Sequence, residues 1–289
     1  MQYAGNLVDL ANTKIRLGVA GFSEVGATEL YGQLVKYQQL LNAPLAITVA
    51  LAAAILPAIA GAVALKNREQ VQQKIDFALR LCFFVTIPSA VGFAVLSTPL
   101  FAILQYGAGA YLMEFGSIAL ILLAVVQIQT SILQGAGKLY MVTLNLVLGI
   151  IGKIVTNYFL ISIPQINIMG AIIGSVVGYC IPITLNFLIM KKVLKIKIHP
   201  LRLLLKPMIA AVTMGITVYI AHGILSAVLF FIPGAYGINL LATLISVMIG
   251  AVTYFIVLVM MKGVSSEELE IFPKRLVRLI PQKMRDRIE

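Results

Sequence analysis

Apolar residues fill long stretches of this chain, and polar residues return only in short segments between them. A helix needs about 20 mostly apolar residues to cross the hydrocarbon core of a bilayer. Seven stretches meet that requirement, so the pattern predicts an all-α fold, a polytopic membrane bundle of about seven transmembrane helices. The predicted spans are 41–65, 79–100, 112–134, 139–162, 168–190, 207–229 and 238–261.

Polar residues inside the predicted span 139–162 fall on one helix face. Asn145, Gly149, Lys153 and Asn157 recur at every fourth position, and positions four apart share a face of an α-helix. Polar groups in a membrane usually face protein or a water-filled cavity. This stripe therefore predicts that Lys153 faces an interior cavity, with snorkelling toward the interface or an incidental polar contact as the alternative.

The predicted span 112–134 carries a second polar stripe, made of Gln127, Thr130, Ser131 and Gln134. These residues are expected to share one face in the same way.

The span 168–190 carries small residues, Gly170, Gly174 and Gly178, again at every fourth position. Such a ladder lets another helix approach closely and predicts tight packing rather than a binding site.

Basic residues alternate between successive loops. Lys and Arg occur in 66–78, 135–138, 191–206 and the segment after Met261, and they are absent from 101–111, 163–167 and 230–237. Positively charged loops remain in the cytoplasm. The alternation predicts a multi-pass protein of the cell membrane with its basic loops and its C-terminus in the cytoplasm.

An odd number of spans with a cytoplasmic C-terminus places residue 40 outside. Residues 1–40 are therefore predicted to be an external lead-in, or else an amphipathic segment that stays inside, and residues 41–262 form the transmembrane bundle. The simplest interpretation of such a lead-in is that the chain is the C-terminal part of a longer protein. Residues 263–289 are predicted to be a basic amphipathic tail on the inner leaflet, opened by the capping pattern Ser265-x-x-Glu268.

Composition narrows the function further. The chain is 60% hydrophobic and 11% charged, with a net charge of +11 and a mean hydropathy of +0.99. The positive charge is explained by the loop bias and by attraction to anionic lipids, so it does not indicate nucleic-acid binding.

Cys82, Cys180, His199 and His222 fit no ligand or catalytic spacing. We predict no metal site, no cofactor and no enzymatic activity.

The predicted spans contain a single carboxylate, Glu114, at the edge of one span. Extruders of cationic drugs that are driven by protons or sodium generally need a carboxylate inside the membrane. This chain has Lys153 there instead, and an ammonium group suits an anionic substrate such as a phosphate.

Three segments together resemble a known family. They are "YGQLVKYQQLLNAPLAITVALAAAILPAIAGA" (31–62), "QIQTSILQGAGK" (127–138) and "GKIVTNYFLISIPQINIMGAIIGSVVGY" (152–179). They are similar to motifs of the polysaccharide-biosynthesis and stage V sporulation protein B group of lipid-linked oligosaccharide flippases. This group is related to the lipid II flippase and, more distantly, to multidrug and toxic compound extrusion transporters.

The resemblance implies about fourteen helices in two bundles around a central cavity, of which this chain would supply the eighth helix onward. The missing N-terminal bundle, or a second chain, would then be a partner. The implied substrate is a polyprenyl-diphosphate-linked glycan, moved by alternating access. Lys36 and Lys153 would attract the diphosphate, and the last two spans would form a groove for the polyprenyl tail. Four uncharged side chains would line the path for sugars: Gln127, Gln134, Asn145 and Asn157.

Other functions stay open at this point. A cation-coupled multidrug extruder would share the fold. A non-transporting membrane assembly partner would tolerate Lys153→Ala but not a bulky residue at Gly174. An integral-membrane glycosyltransferase is disfavoured, because the basic loops carry no cluster of carboxylates or histidines.

Overall fold

The computed structural model describes residues 12–196, 200–228 and 235–261, and over these ranges every regular element is an α-helix. The helical residues 12–19 form α1. The helices that follow are α2 (Glu24–Ala64), α3 (Arg68–Val95), α4 (Ser97–Ile103), α5 (Ala110–Gly116), α6 (Ile118–Gly135), α7 (Leu139–Leu160), α8 (Met169–Leu194), α9 (Pro200–Val228) and α10 (Ala235–Met260). Among them, α2, α3 and α6 to α10 contain stretches long and apolar enough to cross a membrane. The predicted all-α bundle with seven spans is confirmed.

The first spanning helix, α2, begins much earlier than the predicted span 41–65. Ser23 caps it, since the Ser23 hydroxyl accepts a hydrogen bond of 3.2 Å from the Gly26 N–H, and Glu24 lies in its first turn. The helix has 41 residues and is about 62 Å long, roughly twice the hydrocarbon thickness. Residue 40 is therefore not an element boundary. Polar residues such as Gln39 lower the hydropathy of the stretch before residue 41, but the helix continues through that stretch.

The predicted span 112–134 is divided in the structure, because α5 ends at Gly116 and α6 begins at Ile118. The Tyr37 hydroxyl donates a hydrogen bond of 2.7 Å to the Gly116 carbonyl. The Leu120 N–H bonds to the Ser117 carbonyl instead, three residues back. A contact from another helix thus accompanies a break that the apolar pattern does not indicate.

The predicted span 79–100 is divided as well. Helix α3 starts at Arg68 and ends at Val95, and α4 starts at Ser97. Pro99 has no N–H to donate to the carbonyl four residues back, so the helical hydrogen bonds are interrupted at this point. Pro57, Pro88 and Pro182, in contrast, lie inside continuous helices.

The chain divides into two compact units, and α3 crosses from one to the other after Thr86. The first unit contains the described residues of Met1–Thr86 and Ala108–Ile198. Within it α6 packs against both α2 and α8, and α8 packs extensively against α7. This arrangement makes α6 a central helix of the unit, and ten of its 18 residues are buried.

The second unit contains the described residues of Ile87–Gly107 and His199–Glu289. Its helices α9 and α10 pack closely together, and α4 packs against α10. The Asn239 side-chain amide donates a hydrogen bond of 3.2 Å to the Pro99 carbonyl. The predicted amphipathic tail, residues 263–289, lies outside the described residues, as do residues 1–11 of the predicted lead-in.

Candidate functional site

The polar stripe of α7 faces α8. Asn145, Gly149, Lys153 and Asn157 are all buried, as is Val142 at the start of the same face. The facing stripe of α8 also repeats every fourth residue, and its buried members include Gly170, Gly174, Gly178, Pro182 and Asn186. We call this contact between the two stripes the α7–α8 seam.

Glycines allow the two helices of the seam to approach closely. A Cβ atom on Gly178 would lie 2.9 Å from the Cβ of Lys153 and 3.1 Å from the Gly149 carbonyl oxygen. A Cβ on Gly174 would overlap the Asn157 side-chain oxygen. The glycine ladder therefore serves close helix packing, as its spacing predicts.

An amide pair links the helices farther along the seam. The Asn145 Nδ2 donates a hydrogen bond of 2.8 Å to the Asn186 Oδ1, and both residues are buried. Sequence reasoning selected Asn145 but missed Asn186. The sequence does contain a signal for Asn186. This residue lies eight positions after Gly178, so it continues the stripe in which every fourth residue shares a helix face.

Lys153 is enclosed by this packing, with 6% of its surface exposed. It lies seven residues before Leu160, where α7 ends, which is about 10 Å along the axis. Asn157, one turn later, is fully buried. The structure thus brings Lys153, Asn145 and Asn157 together between two helices of the first unit.

Gln127 and Gln134 lie elsewhere, in a groove beside the contact between α2 and α6. The groove has a volume of about 480 Å³. It is lined by Val49, Ala52 and Ala53 of α2, by Leu123, Val126, Gln127, Thr130, Ser131 and Gln134 of α6, and by Leu146 of α7. We call it the α2–α6 groove. The predicted polar stripe of α6 thus lines a concave surface.

Thr48 of α2 contacts Gln127, one of the residues that line this groove, and sequence reasoning missed it. Its hydroxyl oxygen lies 2.8 Å from the Leu45 carbonyl oxygen and 3.0 Å from the Gln127 Oε1. A hydroxyl has one proton, so it donates to one of these oxygens at a time. The helices α2 and α6 also remain in contact at the C-terminal end of α6, since a Cβ on Gly135 would lie 2.7 Å from the Leu56 carbonyl oxygen.

Lys36 lies on α2, twelve residues after the first residue of the helix, Glu24, and it is half-buried. It precedes Thr48 by twelve residues, or about 18 Å along the helix. The Tyr111 hydroxyl of α5 lies 3.5 Å from the Gln33 Oε1 in this region, and partial burial raises the pKa of Tyr111. The six predicted site residues therefore do not form one cluster.

Two further cations lie on α1, and sequence reasoning assigned them no role. The Arg16 guanidinium carbon lies 3.1 Å from the ring centroid of Tyr158, and the Lys14 ammonium lies 5.8 Å from that of Tyr31. Both are cation–π contacts. They attach α1 to α2 and to the end of α7, and no spacing rule in the sequence connects residues so far apart.

Groups of histidine, cysteine, aspartate and glutamate able to hold a metal ion are absent from the described ranges. His222 lies 3.3 Å from the Thr243 hydroxyl, between α9 and α10. Buried polar groups of the seam and the α2–α6 groove sit inside helices that can span a bilayer. These features define a multi-pass α-helical membrane protein with hydrogen-bonding groups between its helices.

The chain belongs to the family described as Lipid II flippase MurJ, whose sequence model matches residues 2–273. The resemblance found in the three sequence segments is thereby confirmed. A flippase moves a lipid and makes no covalent bond, so the family also confirms the prediction of a protein that is not an enzyme.

Two relatives come from Bacillus subtilis (strain 168). The chain is 29% identical to its Lipid II flippase MurJ over 204 residues, which is 68% of this chain and 36% of that protein. It is 28% identical to its Stage V sporulation protein B over 219 residues, which is 73% of this chain and 42% of the relative. The matches thus span less than half the length of these relatives.

Proposed function

We propose that this chain takes part in moving a polyprenyl-diphosphate-linked glycan across the cytoplasmic membrane by alternating access, for cell-wall or polysaccharide synthesis. Membership of the lipid II flippase family supports the substrate class. The proposed movement is a shift in population between inward-open and outward-open states. The second bundle that alternating access needs would come from the rest of a longer chain or from a second chain.

The observation that carries the proposal is the position of Lys36. It is half-buried within α2, a helix that can span the membrane. A cation in such a place is a candidate binding group for an anionic substrate. We propose that Lys36 attracts the diphosphate, with Lys153 adding positive charge from inside the α7–α8 seam.

The remaining predicted residues have a supporting role in this proposal. Gln127 and Gln134 would offer hydrogen bonds to sugars, while Asn145 and Asn157 would hold the seam that positions Lys153. The basic loops would lie on the cytoplasmic side, with the C-terminus, and would attract anionic lipids. The pair α9 and α10 would carry the polyprenyl tail.

A cation-coupled drug extruder on the same fold has less support. Such a transporter would place a carboxylate inside the bundle, whereas the buried polar residues in the described ranges include no aspartate or glutamate. Glu24, Glu29 and Glu114 are all exposed.

Binding of undecaprenyl diphosphate to the purified chain in nanodiscs tests the proposal. We expect Lys36→Gln to weaken binding by roughly tenfold or more, because a hydrogen bond to a charged group contributes about 1.5–3 kcal/mol. Lys36→Arg should retain most of the affinity. Lys191→Gln removes an exposed lysine from the last turn of α8 and serves as the control. If Lys36→Gln binds the lipid with the same affinity as the wild type and the other two variants, the proposal is contradicted.

A further inference from the structure

The α2–α6 groove combines an apolar wall with a strip of uncharged hydrogen-bonding groups. Gln127, Thr130, Ser131 and Gln134 lie on α6 at spacings of three and four residues and all line the groove. The other lining residues are aliphatic, and none of the described residues that line the groove is ionisable. Its surface is therefore polar but electrically neutral.

A polar strip of this kind is not suited to face hydrocarbon. Polar side chains inside a membrane face protein, water or a ligand, because a lost hydrogen bond is costly there. The other sides of α6 are covered by α2 and α8. A volume of about 480 Å³ lies within the range of small-molecule binding sites.

The chemistry of the lining selects one kind of ligand. Amide and hydroxyl groups both donate and accept hydrogen bonds, which matches the hydroxyl and N-acyl groups of a sugar. Aliphatic residues such as Val49 and Ala53 suit the C–H faces of the ring. A diphosphate would find no cation in the lining to compensate its charge.

One contact supports a ligand at the polar strip. The Thr48 hydroxyl oxygen lies 3.0 Å from the Gln127 Oε1, at one end of that side-chain amide. The opposite end of the amide can then form a hydrogen bond with a ligand in the groove.

We propose that the α2–α6 groove is a carbohydrate subsite, which binds the uncharged sugars of the lipid-linked glycan. This inference rests on the proposed function, and it assigns the sugars to a place separate from the diphosphate. Lys36 precedes Thr48 by about 18 Å along α2. Only an extended oligosaccharide headgroup contacts Lys36 and the groove together, so the subsite selects for headgroup length.

The test compares the affinities of the purified full chain in nanodiscs for two lipids. One is undecaprenyl diphosphate, which has no sugar, and the other is undecaprenyl diphosphate linked to an uncharged tetrasaccharide. Ala53→Leu narrows the groove, and Gln134→Leu removes one amide from it. Neither position is fully buried, so both variants should fold. Ala54→Leu makes the same change on an exposed position outside the groove and serves as the matched control.

We expect both groove variants to weaken binding of the tetrasaccharide lipid by roughly tenfold and to leave the affinity for undecaprenyl diphosphate within twofold. The control should change neither affinity. If the groove variants weaken both lipids equally, the groove holds the tail or a protein segment and the inference is wrong. If they weaken neither, the groove binds no part of the ligand.

Lys36→Gln separates this inference from the proposed function. If Lys36→Gln weakens both lipids while the groove variants weaken neither, the diphosphate role stands and the carbohydrate subsite fails. If Lys36→Gln has no effect while the groove variants weaken only the tetrasaccharide lipid, the subsite stands and the diphosphate role fails.

Discussion

Asn145 on α7 donates a hydrogen bond of 2.8 Å to Asn186 on α8, and both side chains are buried. Hydrogen bonds between transmembrane helices contribute about 0.6 kcal/mol on average, and up to about 1.7 kcal/mol. This amide pair, with the glycines beside it, determines how α7 and α8 meet.

Replacing one member of the amide pair should destabilise the protein. We expect Asn186→Leu to lower the free energy of unfolding by about 1–3 kcal/mol, because the Asn145 amide would remain buried without its partner. The double variant Asn145→Leu with Asn186→Leu should lose less than the sum of the single variants. Unfolding by sodium dodecyl sulfate in mixed micelles measures these values. Thr143→Val, on the exposed face of α7, is the control, and additive losses would contradict the pairing.

The glycines of the seam should not tolerate a methyl group. We expect Gly178→Ala to destabilise the protein by about 1–3 kcal/mol, because the added Cβ would lie 2.9 Å from the Cβ of Lys153 and the helices would have to separate. Gly32→Ala on α2 meets nothing within 4 Å and should be neutral, or stabilising by up to about 1 kcal/mol. The same unfolding assay compares them. Equal effects of the two substitutions would show that close packing is not what Gly178 supplies.

The seam is the part of the site that the sequence predicts best. A repeat of four residues on each of two consecutive spans predicts that Asn145 and Lys153 share one face of α7 and that Gly178 belongs to a small-residue face of α8, because the helical period alone determines which residues share a face. The same period places Gln127 and Gln134 together on α6. The number of spans follows from apolar length alone.

Other features depend on contacts that periodicity does not encode. The break between α5 and α6 coincides with the hydrogen bond from Tyr37 to Gly116, whose residues are 79 positions apart. The early start of α2 depends on the Ser23 cap and not on hydropathy. The contact between the α7 and α8 stripes could not be predicted either, because the sequence gives each helix face but not which faces meet.

Lys153 should have an electrostatic role as well as a packing role. Lys153→Met retains the unbranched aliphatic stem that packs beside Gly178 and removes the charge. We expect this variant to keep the wild-type stability within about 1 kcal/mol, since a volume-conserving change is tolerated best, but to lose affinity for undecaprenyl diphosphate severalfold. Lys153→Arg is the charge-conserving control for binding in nanodiscs. If Lys153→Met binds the lipid with unchanged affinity, the charge of Lys153 has no part in substrate attraction.

The stacking of Arg16 on Tyr158 should hold α1 against α7. A cation–π contact contributes about 0.5–2 kcal/mol, so its loss should raise the population of detached α1 by roughly 2- to 30-fold. Trypsin cleaves after lysine and arginine, and Lys14 and Arg16 become accessible when α1 detaches. We therefore expect Tyr158→Leu to accelerate tryptic cleavage at these residues under native conditions. Tyr158→Phe keeps the ring, so this variant should be cleaved at the wild-type rate.

Tyr140→Leu replaces an exposed tyrosine near the opposite end of α7 and is the control. Equal cleavage rates in Tyr158→Leu and Tyr140→Leu would mean that other contacts, such as the buried Leu17, hold α1 in place.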